Sequence, residues 1–459
     1  MYRIYIAYIL ILLIVGSVSA QDNTQIFLKG IPQNNIMNPA FRPVDGWYIA
    51  MPALGGVQIN GENSGFSWND IIRPDATSDS TVIDLDYAAG QLQDLNTFAT
   101  EATLQVLGLG FSVREHTFLS FEINHRLKAR ANYPKALFDL RNGNWNYEGN
   151  APINHDLSDM YVHGVDYNEI AFGWSRILNS KFTIGARAKI ILGVAHVESE
   201  YVDAKFITEE NSLVSLQSSM AVRTNLPLDI GYDDEGYVSS VELSDSFGAD
   251  DFLSTKNKGF AFDFGVTYQA TEKLLLGASV IDVGSISWTT ETTQLSTSGT
   301  FLFEGVDVSD EITGEEGGED DYWAQLEADF KEAFKVEDAN EVYSTGLMGN
   351  FNVSAFYQFQ PWLNFGVLSK NYVIDELFLP EASFSVGLSH RKVISSAITY
   401  TMKKNAPSNL GTGISVRAGA FQFYAVTDNL LSLFDPENAQ YVNGRIGINL
   451  IFDKKKEEL

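Results

Sequence analysis

Histidine is the first residue type to check for chemistry, and there are six: His116, His125, His155, His163, His196 and His390. None forms an HExxH pair or a metal-ligand spacing, and no GxSxG elbow occurs anywhere in the chain. Cys 0 rules out thiolate chemistry and disulfides. No catalytic group, metal site or cofactor is therefore expected, and the chain reads as a non-enzyme. The other candidates are charges set into apolar runs: Glu122, Arg126, Lys128, Arg187, Lys189 and Asp263. Each falls on the polar face of an alternating stretch. Such inward-facing charges could line a lumen that selects solutes. They could instead form salt bridges that tie a wall to whatever fills it. The second reading is favoured, because an unpaired buried charge is costly.

The elements that must carry these charges are strands. Phe260, Phe262, Phe264, Val266 and Tyr268 alternate with Ala261, Asp263, Gly265, Thr267 and Gln269. Leu119, Phe121, Ile123 and Leu127 oppose Ser120, Glu122, Asn124, Arg126 and Lys128. Ile446, Ile448, Leu450 and Phe452 oppose Arg445, Gly447 and Asn449. A period of two means one apolar and one polar face. Several runs reach about ten residues, the length of a tilted membrane strand. About 14 strands can be placed between 47–59 and 444–453. Short turns (114–116, 178–181, 270–273, 358–361, 391–393) alternate with long segments (60–100, 131–165, 196–258, 289–345, 430–443), the pattern of an outer-membrane barrel. Every short turn then falls on the side of both chain ends, provided that Leu213–Val222 belongs to the 196–258 excursion. Aromatics near strand ends (Trp47, Tyr48, Trp174, Trp288, Tyr357, Trp362) suit interfacial girdles.

The fold class expected is therefore all-β: a single transmembrane antiparallel barrel of about 14 strands over 46–453, ending in a charged tail, 454–459. Residues 1–20 read as a signal peptide, with Arg3, an apolar run Ile4–Val15 and Val18-Ser19-Ala20 before Gln21. A net charge of −28 argues against nucleic acid as a partner. The acidic excursion 296–345 carries 15 acidic side chains between Glu304 and Glu341. Within it Trp323, Leu326, Phe330 and Phe334 recur at helical spacing, which predicts an amphipathic helix over 321–336. That helix could act as a lid or docking helix, but a solvated loop capped by a packed helix is favoured. Clustered carboxylates there suit Ca²⁺, yet no EF-hand spacing occurs.

Residues 21–45 lack alternation and carry Ile31-Pro32 and Asn38-Pro39-Ala40. A barrel of this size needs its interior filled, so this segment is expected to enter it from the periplasmic side as a plug. With Asn38, Pro39 and Ala40 just ahead of the first strand, the chain resembles the FadL-like outer-membrane barrels. These have about 14 strands and an N-terminal plug, and include long-chain fatty-acid transporters. Phe27–Pro32, the Asn-Pro-Ala triplet and the ending Arg445–Phe452 more closely resemble an uncharacterised Bacteroidota outer-membrane family known only as a domain of unknown function. In plan the chain is similar to type IX secretion shuttle barrels. The resemblance implies an outer-membrane location with membrane lipid around the wall. Its leading functional implication is a conduit for small or hydrophobic compounds, with an apolar cavity inside and a gap or kink in one wall strand. The alternative is a scaffold that binds envelope protein partners through its loops.

Overall fold

A computed structural model describes residues 23–42, 46–74, 80–209, 213–244, 255–303, 326, 328–374, 377–403 and 406–454. The leader read at 1–20, Trp323 and most of the acidic excursion lie outside the described residues. Among the described residues, no helix is long and apolar enough to cross a membrane.

Fourteen strands form one ring. They are β1 (Trp47–Ala50, resuming as Val57–Asn63), β2 (Leu95–Val113), β3 (Thr117–Pro134), β4 (Tyr161–Ile177), β5 (Phe182–Thr208), β6 (Asn257–Gln269) and β7 (Leu274–Trp288). Then follow β8 (Tyr343–Gly346 and Gly349–Gln360), β9 (Leu363–Ile374), β10 (Leu377–His390), β11 (Ile394–Lys403), β12 (Ala406–Ala418), β13 (Phe421–Thr427) and β14 (Tyr441–Phe452). Each pairs antiparallel with its sequence neighbours, and β14 closes on β1 through Trp47↔Phe452 and Val57↔Ile446. Closure leaves no sheet edge in the ring, which is what hydrocarbon demands of a spanning sheet.

The alternation sets the two faces. Phe260, Phe262 and Phe264 are 62%, 47% and 55% exposed on the outside, while Ala261 and Asp263 are buried inside. Of the expected girdle aromatics, Trp47, Trp174, Tyr357 and Trp362 are exposed. Tyr48 and Trp288 are corrections, since both are buried within. Tyr48 adjoins Trp47, so the pleat turns it inward, where it stacks on Phe118. Trp288 is inverted by a bulge: the register of β6 on β7 slips at Ile281–Asp282, opposite Asp263. Asp282 adopts φ 60. One extra residue swaps the faces of everything after it.

Beyond the ring, β5 continues as one strand. Its first part pairs with β6 as far as Gly193↔Asn257. Its last part pairs with strand Val214–Thr224, which pairs with Thr293–Phe303, and that strand in turn with Val336–Ala339. The stretch Leu213–Val222 thus lies in the excursion and not in the wall. Helix is present at 328–333, and Phe330 packs edge-on against Phe301 at 5.4 Å. It ends sooner than the spacing suggests, because Val336 is already committed to the sheet.

An arginine placed on the lipid face should be costly. Phe262→Arg is expected to destabilise the barrel by about 2–4 kcal/mol at the bilayer midplane. Urea unfolding in lipid vesicles measures this, with the inward-facing Ala261→Ser as the control.

Candidate functional site

The site is the barrel's interior. From residue 23 to 42 the chain lies inside the ring, turning through two short 3-10 segments, Gln25–Phe27 and Pro32–Ile36. Pro32 fixes the start of the second, where a missing N–H costs nothing. One side of the segment is apolar. Ile26, Phe27, Leu28, Ile31 and Met37 are buried against Leu368, Ala397, Tyr424 and Val426 of β9, β11 and β13. The other side is amide-rich. Gln33 Nε2 donates to Gly55 O at 2.9 Å, Gln105 Oε1 at 2.9 Å and Asn449 Oδ1 at 2.8 Å. Asn35 Nδ2 donates to Glu122 at 2.9 Å, and Asn23 Nδ2 to Glu381 at 3.0 Å.

Asn38, Pro39 and Ala40 lie on a floor of glycines. A Cβ at Gly185 would come 2.2 Å from Pro39, and one at Gly265 would come 2.1 Å from Asn38 Oδ1. These two glycines face each other across β5 and β6. The Asn38 side chain accepts from Ala40 N at 2.9 Å, closing a tight turn. Its Nδ2 reaches the Val266 and Ala278 carbonyls, each at 3.3 Å. At the turn side, Arg42 Nη1 donates to Glu115 O at 2.9 Å.

Opposite the segment's apolar side, five strands (β3–β7) supply a buried ionic network. All six charges singled out in the sequence belong to it. Arg187 meets Glu122 at 2.6 Å and Asp263 at 3.3 Å. Lys189 meets Asp263 at 2.8 Å, Asp282 at 2.5 Å and Glu169 at 3.4 Å. Arg126 reaches Asp282 and Glu169, and Lys128 reaches Asp282 at 3.5 Å. Four cations thus balance four carboxylates. Sequence reasoning missed two of them, Glu169 and Asp282. Glu169 shares the inward face with Tyr167 and Ala171, a pattern visible in the sequence. Asp282 sits in the bulge, where the period of two breaks. Over this network lies a polar cavity of only about 50 Å³, lined by Glu101, Arg126, Lys128, Asp282, Lys370 and Arg445 among others.

The wall has a seam beside β1. Within residues 51–56 the regular ladder is interrupted: Gly55 turns inward, where its O accepts from Gln33 and from Tyr424 Oη (3.0 Å), while Leu54 stays exposed and Met51, Ala53, Leu54 and Gly56 keep single backbone bonds to β14 or β2. Before this break β1 pairs with β2 at four positions; after it Val57–Glu62 has no ladder partner on β2, the gap being flanked by the Gln105 N to Gly56 O bond (2.8 Å) and by Asn63↔Phe98. Asn60, fully buried at the seam, has neither side-chain amide atom hydrogen-bonded. Outside the seam, on the loop side, is an apolar cavity of about 980 Å³ lined by Ile59, Phe66, Trp68, Phe98, Tyr133 and Phe138 among others. Phe66, Tyr133 and Phe138 form a mutual aromatic cluster.

At the loop-side mouth, beyond the spanning part of β5, His196 stacks on Trp288 at 5.1 Å and lies edge-on to His163 at 5.5 Å. Its Nδ1 is 3.0 Å from Tyr343 Oη. Burial, reinforced by His163 and Arg223, pushes its pKa down to about 3.

Two outcomes follow from this geometry. Lys189→Met leaves three carboxylates short of a counter-charge and should cost about 3–5 kcal/mol, read from the unfolding midpoint; Lys189→Met/Asp263→Asn should recover part of it. His196 is held neutral when folded, so it contributes full stability above its unfolded pKa near 6.5, and that stability falls as pH drops from there toward 3. Between pH 6.5 and 5 the loss should approach about 2 kcal/mol, and His196→Gln should flatten the profile.

No curated protein matches the chain. Among solved structures, it is similar to the toluene transporter TbuX of Ralstonia pickettii at 8% identity and TM-score 0.42, covering 92% of this chain and 93% of that one. It is also similar to the toluene transporter TodX of Pseudomonas putida at 9% identity and TM-score 0.40, covering 95% and 97%. A FadL homologue of Pseudomonas aeruginosa gives 9% identity and TM-score 0.40 over the same shares. Residues 39–428 match the profile of a Family of unknown function (DUF5723), a span that begins inside the Asn-Pro-Ala triplet and runs to the end of β13. The chain belongs to that family.

Proposed function

We propose that this barrel is an outer-membrane conduit for small hydrophobic compounds, with the N-terminal segment as its hatch and the seam beside β1 as its side portal. The observation that carries the reading is the position of the 980 Å³ apolar cavity, directly outside the stretch where Val57–Glu62 of β1 has no ladder partner on β2. A hydrophobic molecule gathered by Phe66, Trp68 and Phe138 would rest against this unladdered stretch of the wall.

The 980 Å³ apolar cavity lies outside the wall, and the space over the ionic network inside it is small and lined mostly by polar side chains. Passage therefore requires the hatch to move. Gln33 couples the two features, since its amide holds Gly55 in the inward excursion of β1. Withdrawing the segment would free that excursion and loosen the seam. The toluene transporters similar in layout are named for a substrate of this class. The filled lumen also suits a barrel that works through its loops, so the test must separate the two.

Vesicles containing the barrel should take up the hydrophobic dye N-phenylnaphthylamine. Trp68→Ala/Phe138→Ala should slow that uptake by about tenfold or more, because each lost aromatic gives up roughly 1.5–3 kcal/mol of burial. Gly265→Val, which drives a side chain into Asn38, should raise conductance in planar bilayers. Dye uptake indifferent to the cavity variant, together with a silent Gly265→Val barrel, would leave the loop-working scaffold as the better account.

A further inference from the structure

The apolar cavity beside the seam has a floor that belongs to the barrel's outer face. Ile59 of β1 pairs with Gly444 of β14, and Gly61 pairs with Val442. All four line the cavity. The next outward pair down the wall is Val57↔Ile446, and Ile446 is exposed there. Gly444 keeps the floor low, since a Cβ at that position would meet nothing within 4 Å. The cavity is therefore a continuation of the lipid-facing stripe of β1 and β14, walled by the loops that carry Phe66, Trp68 and Phe138.

The depth of that floor in the bilayer follows from β14, which runs for 12 residues from Tyr441 to Phe452. Phe452 stacks on Trp47 at 3.9 Å, an aromatic pair suited to the girdle on the side of the chain ends. At about 3.3 Å per residue and a tilt of about 40°, Gly444 stands roughly 20 Å above Phe452 and Val442 roughly 25 Å. The apolar band of such a barrel is about 25 Å tall. Gly444 thus lies in the outer half of the hydrocarbon and Val442 at its edge. The β13–β14 connection supports the same level. Its 3-10 turn, Leu431–Leu433, is tied there by Asn429 Nδ2, which donates to the Tyr441 carbonyl at 2.6 Å. Leu431, Leu433 and Phe434 are 65%, 59% and 80% exposed, and Leu433 also lines the cavity. Three large apolar side chains side by side are unfavourable in water and favourable among acyl chains.

We propose that the acyl chain of an outer-leaflet lipid enters this cavity sideways along the β1–β14 face and lies in it. Leu431, Leu433 and Phe434 form its lip and rest among the neighbouring chains. The charge of the site agrees with a bare hydrocarbon occupant. Among the described lining residues the one charged side chain is Glu437, so nothing there would pair with an anionic head. At 980 Å³ the cavity is near the upper end of the roughly 300–1,000 Å³ typical of ligand pockets. The inference names what the cavity holds and where it comes from: hydrophobic cargo would arrive through the bilayer and displace the chain. Occupancy by lipid does not itself rest on the conduit reading, because it needs no passage through the seam.

Trp68 lines the cavity and is exposed, so whatever quenches its fluorescence identifies the occupant. The full-length barrel is reconstituted in vesicles of phosphatidylcholine, with chains either plain or brominated at their middle. The emission of Trp68 is the difference between wild type and Trp68→Phe. Brominated chains should lower it by about half or more, whereas iodide in the surrounding water should leave it nearly unchanged. Gly444→Leu, which fills the floor from a position with free space, should lose most of the quenching by bromine. Ile398→Leu, on the lipid-facing side of β11, should be quenched like wild type. The proposal is overturned if iodide quenches Trp68 as well as brominated chains do, because water then fills the cavity. It is equally overturned if Gly444→Leu is quenched like wild type, because Trp68 then meets bulk lipid and not a chain in the cavity. Dye uptake plays no part in this readout, so a barrel that holds the chain and passes no dye would sink the conduit alone.

Discussion

A backbone amide in hydrocarbon has no water to turn to, and each unpaired group costs several kcal/mol. The rest of the structure follows from that constraint. It requires the strands to close, and Trp47↔Phe452 is where the first and last meet. Closure fixes which face of every strand meets lipid, and so which side chains are committed to the interior. It also makes any shortfall in the ladder informative. Where β1 leaves β2, the cost is met locally by inward bonds from Gln33 and Tyr424 to Gly55.

The interior solves a second problem, that of filling a wide cylinder without leaving charge or amide unpaired. It does so in two halves. Against β9, β11 and β13 the filling is apolar, built from Phe27, Leu28 and Ile31. Against β3–β7 it is ionic, with four cations and four carboxylates in mutual contact. Removing one member of such a network leaves its partners stranded, although an apolar replacement of the whole need not cost stability. The N-terminal segment touches both halves. It is bound largely by neutral amide hydrogen bonds, each worth about 0.5–1.5 kcal/mol net.

Much of this was legible in the sequence, because period two is a strong signal when one face meets lipid. Phe260–Gln269 shows both its strand and its faces directly, and the alternation of short and long connections sets the strand number. Where the reading failed, a local irregularity had intervened. The bulge at Ile281–Asp282 hid Asp282 and reversed Trp288. The break at 51–56 lay inside a stretch read as one strand, so the seam went unseen. The glycines under Asn38 and Pro39 looked like small polar-face residues. Their purpose appears only when Gly185 and Gly265 are brought side by side. Partners distant in sequence, such as Asn23 with Glu381, leave no periodic trace at all.

One strand passes from the ring into the sheet outside it. β5 spans 27 residues without interruption. At about 3.3 Å per residue its contour approaches 90 Å, roughly three times the thickness of the hydrocarbon core. Like a mast stepped in a hull, it carries the sheet of Val214–Thr224, Thr293–Phe303 and Val336–Ala339 clear of the acyl chains. Out there any backbone group left unpaired along the sheet can meet water, and an edge that would be ruinous at membrane depth becomes tolerable.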